Sequence, residues 1–351
     1  MHKIVLLLMY GLLLLLYSCS DKEMQTHSEK EFGDVIQLNT KRKFTRELLS
    51  IDDLMVKDSL VVICNSRDDS IFMAFDLKGK DTLNCVKTWG RKGKGPGEYG
   101  LFTHLIDLPQ NEFYVADYSR NNLRKYSLPE FKLRREKKIV TNRDEPQFRE
   151  IPQKIVSPDG SIFFYDKFMM HELYITRWKN GQTPEEIFGF PSFKKQYSKE
   201  TSTTYFGCLA VNSKMNRIVY AFHHFRRFYI MDFDGNIIKK VQITPGAPSP
   251  VFKDDRNLDA GSSTLCFMNA RATDRSIFLY YVGHTYNEIK KKDWQVSTYI
   301  EEYDWEGNPI NRYKLDRFIS NFDIVSGKKG SRFFLGIDQA HEDPVLVLKK
   351  D

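Results

Sequence analysis

With 351 residues, 41% of them hydrophobic and 28% charged, the chain has apolar material for a large core and too much of it for a disordered polymer. Its 53 basic and 46 acidic residues leave a formal charge of +7. The basic residues are scattered among acidic ones without a long cationic block, which argues against a nucleic-acid partner.

The first segment is Lys3 followed by an apolar run, Ile4 to Leu16, too short to span a bilayer comfortably. It ends at Leu16-Tyr17-Ser18-Cys19, and small residues ahead of a cysteine at this place resemble a bacterial lipobox, although Tyr17 is bulkier than usual at its position. The resemblance implies that residues 1–18 are a lipoprotein signal peptide, cleaved before Cys19, and that the Cys19 sulfur carries the lipid. The alternatives are an ordinary signal peptide with an incidental cysteine, or an uncleaved anchor. A lipid chain holds by burying methylenes, so the protein would sit on a membrane without crossing it. Residues 19–33 are polar and lack apolar periodicity, which reads as a flexible tether. Ser20 follows the cysteine with Asp21 and Glu23 close by, and by resemblance this favours the outer membrane, on its periplasmic or its outer side.

Residues 34–351 show no sustained apolar stripe at helical spacing. Short β-branched and aromatic runs stand between turn signals instead, as in an all-β protein. The most apolar runs, SLVVICN, EFYVADY, SIFFYDK, RIVYAFHH, SIFLYYVG and RFFLGID, recur about every fifty to sixty residues, a period that points to a propeller or another repeat architecture. A second run follows each, and three end in Asp76-Leu-Lys-Gly79, Asp232-Phe-Asp-Gly235 and Asp304-Trp-Glu-Gly307. The spacing suits a tight hairpin, with Asp accepting amides across the turn and Gly taking the left-handed position. A calcium loop would need further oxygen ligands that these lack.

The first unit fills out to four strands, near Ile51–Val56, Ser59–Asn65, Ser70–Leu77 and Asp81–Trp89, and equivalent units begin near Phe102, Ile151, Phe206, Leu265 and Ile319. The sixth lacks a last strand, and Asp34–Leu38 is the candidate to supply it. The expected fold is therefore an all-β, six-bladed β-propeller of four-stranded antiparallel blades, its ring closed by an N-terminal strand pairing with the last blade.

Thr88 to Gly100, TWGRKGKGPGEYG, tests a phosphate-loop reading. Counted from Gly90, Pro96 and Gly97 stand where a P-loop needs Lys and Ser/Thr. Gly95, Gly97 and Gly100 have dinucleotide-loop spacing but precede strand–turn–strand, not a helix. The segment reads as a blade connector. Together with the lipobox and the repeated strand–D-x-x-G pattern it resembles the TolB-like six-bladed β-propeller lipoproteins, relatives in fold of NHL-repeat propellers. The resemblance implies a fold and an envelope location, and no established reaction.

Strand alternation places the b–c loops and d–a connectors on one face, and the a–b and c–d turns on the other. Five of eight histidines, among them His171, fall on the first face. Candidate ligand-binding residues there are Arg67, Asp117, Arg120, Asp166, His223, His224, Arg227, His284, Asp338 and His341. The competing explanation is that surface loops are polar anyway and each histidine caps its own blade. Adjacent His223 and His224 would point to opposite sides of a strand, which argues against a metal. Asp52, Asp53, Asp107 and Asn212 are the axial candidates for a metal and do not align in height. Cys64 and Cys85 fall on strands b and d of one blade, too far apart to bridge, whereas Cys208 and Cys266 on neighbouring inner strands could pair or pack as thiols. The expectation is a monomeric, non-catalytic binding or scaffold lipoprotein without cofactor, whose loop face meets a protein, peptide or glycan. The alternatives are an enzyme of lactonase or lyase type with an axial divalent metal, and a glycan-binding surface lipoprotein.

Overall fold

The computed structural model describes residues 23–43, 48, 51–65, 69–77, 83–100, 103–108, 111–117, 119–120, 122–138, 155–156, 162–169, 172–179, 182, 185–190, 202–254, 258–326, 332–338, 340 and 345–349. Three short strands come first: β1 (Met24–Ser28), β2 (Ile36–Gln37) and β3 (Asn39–Lys43). Sheet one then holds β4 (Ile51–Lys57), β5 (Leu60–Asn65), β6 (Ser70–Asp76) and β7 (Asn84–Arg91). Sheet two holds β8 (Thr103–Leu108), β9 (Glu112–Asp117), β10 (Asn122–Ser127) and β11 (Lys132–Lys138). Sheet three holds β12 (Ile155–Val156), β13 (Ile162–Met169), β14 (Glu172–Lys179) and β15 (Glu185–Gly189).

Sheet four comprises β16 (Gly207–Asn212), β17 (Arg217–Phe222), β18 (Arg227–Asp232) and β19 (Ile237–Thr244), with β1 added in parallel beside β19. Sheet five comprises β20 (Thr264–Ala272), β21 (Ser276–Thr285), β22 (Thr298–Asp304) and β23 (Pro309–Leu315), with β2 added in parallel beside β23. In sheet six, β24 (Asn321–Ser326), β25 (Arg332–Ile337) and β26 (Val345–Lys349) are completed by β3, antiparallel to β26. Helix α1 (Tyr286–Lys291) stands in the b–c loop of sheet five. The protein is all-β, in sheets of four to five strands. The first strand of each sheet lies against that of the next, and β24 lies beside β4.

The core occupies the gaps between sheets. Between sheets four and five, Val219, Phe228 and Val241 meet Phe267, Ile277 and Tyr303, and between sheets one and two Val62, Phe72 and Ala74 meet Phe113 and Val115. A sheet covered on both faces needs apolar residues at successive positions, which explains the unbroken runs in β5, β9 and β17. Each large side chain so buried stabilises by roughly 1.5–3 kcal/mol. A bulge shifts the register between third and fourth strands in each of sheets one to five. Such bulges increase local twist as the sheet runs outward.

Both described D-x-x-G hairpins form as expected. Asp232 Oδ1 accepts from the amides of Asp234 and Asn236 at 2.9 Å, and Asp304 Oδ1 from those of Glu306 and Asn308. Gly235 and Gly307 take φ of 84° and 90°, which side chains disfavour.

The N-terminal region departs from expectation twice. The strand on the last sheet is Asn39–Lys43, not Asp34–Leu38, because Ile36 and Gln37 pair with Tyr313 and Lys314 of sheet five. The stretch read as a tether is folded from Met24 onward: β1 is followed by a 3-10 turn, Glu29–Phe32, capped by Ser28, and Phe32 is buried against Tyr303. Its polar composition misleads because β1 docks on a sheet edge by main-chain hydrogen bonds, and Phe32 is its deep apolar contact. Among the described residues no disulfide forms; Cys64, Cys208 and Cys266 are buried and Cys85 is exposed.

Candidate functional site

The b–c loops and d–a connectors form the loop face, and most of its candidate residues are engaged inside the fold. Asp117 Oδ2 accepts from the Gly100 amide (2.8 Å) and lies 3.9 Å from Arg120 Nε. Arg120 donates to the carbonyls of Gly93 and Gly95, and Arg124 to those of Gly97 and Glu98 while covering the Tyr99 ring. Glu98 Oε2 in turn accepts from the Gly95 amide. The glycine-rich stretch is thus wrapped around two arginines of sheet two, its carbonyls meeting the guanidinium groups while the Gly95 and Gly100 amides are taken by the chain's own carboxylates. At Gly100 a Cβ would lie 2.3 Å from that of Ser119, so only glycine fits. Burial raises the Asp117 carboxyl above its ordinary value, against the pull of the Gly100 amide and Arg120.

His223 stacks on Phe206, and burial, with His224 beside it, pushes its imidazole down to about 3. His224 is buried with Nδ1 3.2 Å from the Thr264 carbonyl, and burial lowers its pKa also. Arg227 Nε donates to Gln242 (3.0 Å), His284 Nε2 lies 3.2 Å from the Ser297 carbonyl, and Asp338 lies 3.5 Å from Arg317. Of the described candidates, then, the structure joins Asp117 to Arg120 and His223 to His224, and ties Arg227, His284 and Asp338 to their own or the adjoining sheet. Asp166 lies on β13. Its side chain, together with Arg67, His171, His341 and Cys19, lies outside the described residues.

A second group, absent from the loop-face set, gathers on the first strands of four sheets. Asp53 of β4 accepts from its neighbour Leu54 N, from Leu105 N of β8 and from Asn321 Nδ2 of β24, each within 3.0 Å, and faces His104 Nδ1 at 3.0 Å. Asn321 Oδ1 accepts from Asn269 and Arg271 of β20 and from its neighbour Phe322 N. Asp323 accepts from Val56 N (2.7 Å) and Ile324 N (2.8 Å), with Arg271 Nε at 3.4 Å. Burial raises the Asp323 carboxyl, and Arg271 offsets this only in part. First strands are sheet edges, so their outward amides have no ladder partner. Asp53, Asn321 and Asp323 supply acceptors to those amides. Among the described residues no three His, Cys, Asp or Glu side chains converge as a metal ion requires. One signal marked this group: a polar residue directly ahead of an apolar one at like places in Asp53-Leu54, His104-Leu105 and Asn321-Phe322.

Six described sheets whose first strands lie side by side agree with a comparison of the sequence. The family described as TolB-like 6-blade propeller-like matches residues 38–327. The chain belongs to that family. Two solved structures share the TolB-like chain's fold. One is a member of a domain family of unknown function from Bacteroides vulgatus, with 9% identity over 90% of this chain and 96% of that one and a TM-score of 0.61. The other, a Bacteroides fragilis protein described as exported, has 14% identity over 93% and 98%, with a TM-score of 0.52. No curated protein matches the sequence.

Ahead of the span that matches the TolB-like family, the N-terminal strap joins a buried ionic cluster. Glu29 pairs with Arg226 and Arg312 (3.0 Å to the latter), and both guanidinium groups also meet Glu301, which is fully buried. Arg226 covers the Tyr281 ring at 4.0 Å and Arg312 covers Tyr299 at 3.8 Å, while the Tyr303 hydroxyl donates to Glu301 (2.6 Å). Two positive and two negative groups balance, as buried charge requires. Burial alone would raise the Glu29 carboxyl, but Arg226 and Arg312 together hold it below its ordinary value.

Proposed function

We propose that this TolB-like protein is a lipid-anchored scaffold of the cell envelope, monomeric and non-catalytic, that recognises a protein, peptide or glycan on its loop face. In this reading the six sheets are six blades of a ring closed where β3 pairs with β26 and β24 meets β4. The observation that carries it is Asp53. Its hydrogen bonds go to two inner-edge amides and to Asn321, so the central polar side chains serve to hold neighbouring sheets in place. A rigid frame of this kind suits the display of loops. The lipobox-like stretch ending at Cys19 supports anchoring, and a similar fold in a protein described as exported supports an envelope address.

Crosslinking in intact cells, followed by recovery of the tagged protein and of a Cys19→Ala variant, tests the reading. It predicts membrane-fraction partners that are captured through loop-face positions and lost when the anchor is removed. Elemental analysis of the purified protein is the second arm. A stoichiometric divalent metal would overturn the scaffold reading in favour of the axial-metal enzyme.

A further inference from the structure

The strap that covers sheets four and five also orients the molecule. β1 runs parallel to β19, with Met24 opposite Lys240 and Ser28 opposite Thr244. β19 leaves the Asp232–Asn236 turn and rises to the connector toward sheet five, so the chain ahead of Met24 arrives from the turn face. Gln25 marks the height, since its Nε2 donates to Asn308 Oδ1 (3.2 Å) in the c–d turn of sheet five. Met24 packs against the buried cluster that sheet four shares with Ile175 of β14, which pins the start of the strap to the fold.

Cys19 is five peptide steps from Met24, a reach of about 17 Å at full extension. From the level of Lys240 the turn end of β19 is about 10 Å away and the loop end about 13 Å. A chain already directed at the turn face covers the shorter distance with slack. To carry Cys19 beyond the loop face, it would have to reverse beside its own strand and then clear the connectors and α1, and the available length runs out.

We infer that the turn face beneath sheets four and five lies against the lipid surface, and that the loop face points away from it. This rests on the lipid anchor at Cys19 proposed above. Acidic and basic groups are interspersed on this part of the turn face, where Lys214 pairs with Asp274, Lys239 with Glu306 and Arg177 with Asp234, and Arg217 and Arg275 stand beside Asp232 and Asp304. Attachment therefore comes from the acyl chains and the short leash, without a cationic patch to draw anionic lipid.

The test uses the full-length, lipid-processed protein in vesicles that carry a headgroup energy acceptor. A Cys85→Ser background removes the exposed thiol, the other three described cysteines being buried. A donor dye is placed by Glu306→Cys on the turn face or by Lys291→Cys on α1, both exposed positions. Transfer from position 306 is expected to be several-fold stronger than from 291, and unchanged between low and high salt. Equal or stronger transfer from 291 overturns the orientation while leaving the anchor intact. Flotation with the vesicles is scored first, against Cys19→Ala. If wild type and variant float alike, the anchor reading itself fails, and the orientation with it.

Discussion

Asn321 in sheet six donates its side-chain amide to Asp53 in sheet one at 2.9 Å, and so joins the last sheet in the sequence to the first. The same Asn321 oxygen accepts from Asn269 and Arg271 of sheet five. Asn321→Ala leaves those partly buried donors and one Asp53 oxygen with a lost partner, at a cost of about 1–3 kcal/mol. Tm should fall by a few degrees. Asn321→Asp places a second carboxylate against Asp53 and should lower Tm further at neutral pH than at about pH 4, where carboxylates begin to protonate. Calorimetry of the two variants at both pH values checks this.

Glu29 fastens the strap through Arg226 and Arg312. Its pKa in the folded protein lies below the ordinary 4.5. The carboxylate's contribution is therefore complete above that value and is lost as pH falls through the lower folded-state value. Amide exchange of residues 24–32 should stay protected down to about pH 4.5 and then weaken. In Glu29→Gln protection should be weaker at neutral pH and lack this acid step.

Phe32 is the apolar peg of the strap, 4% exposed with its ring edge-on to Tyr303 in the core between sheets four and five. Truncation of such a ring in a closed core costs about 3–5 kcal/mol. Here the cost is capped by the docking energy of the strap, which can detach without opening the sheets. Phe32→Ala should abolish exchange protection in residues 24–32 and lower Tm by a few degrees, with core amides of β17 and β21 still protected.

His223 is neutral when folded, its pKa pushed down to about 3 by burial and by His224. The unfolded chain takes up a proton near the ordinary value of 6.5, so stability from this group is whole above 6.5 and declines as pH falls toward 3. Urea midpoints of wild type should drop across that window more steeply than those of His223→Phe, which keeps the stack on Phe206.

Much of this architecture was legible because buried sheets leave a strong mark. VVIC of β5, FYVA of β9 and IVYAF of β17 are packed on both faces, and their apolar runs located the units. The outer strands left almost none. Asn39-Thr-Lys-Arg-Lys carries no apolar alternation, because a strand at the rim needs only its main chain to pair, and the more apolar Asp34–Leu38 drew the assignment instead. The candidate loop-face residues were chosen for exposure, yet Asp117, His224 and Asp338 are buried. A polar residue that caps a neighbouring amide and one that awaits a ligand look alike in sequence. His104, Asn269, Arg271 and Asp323 were overlooked for the converse reason, since their value lies in which strands they bridge.

The pairing of β3 with β26 sets when the protein can finish folding. β3 leaves the ribosome before the strands of all five other four-stranded ladders and β26 after them, so this rim strand must wait for every strand between before its neighbour exists. Contacts of such long sequence separation form slowly. Until β26 appears, β3 has no ladder to join, so sheet six is the last of the six to be completed however early its outermost strand is made.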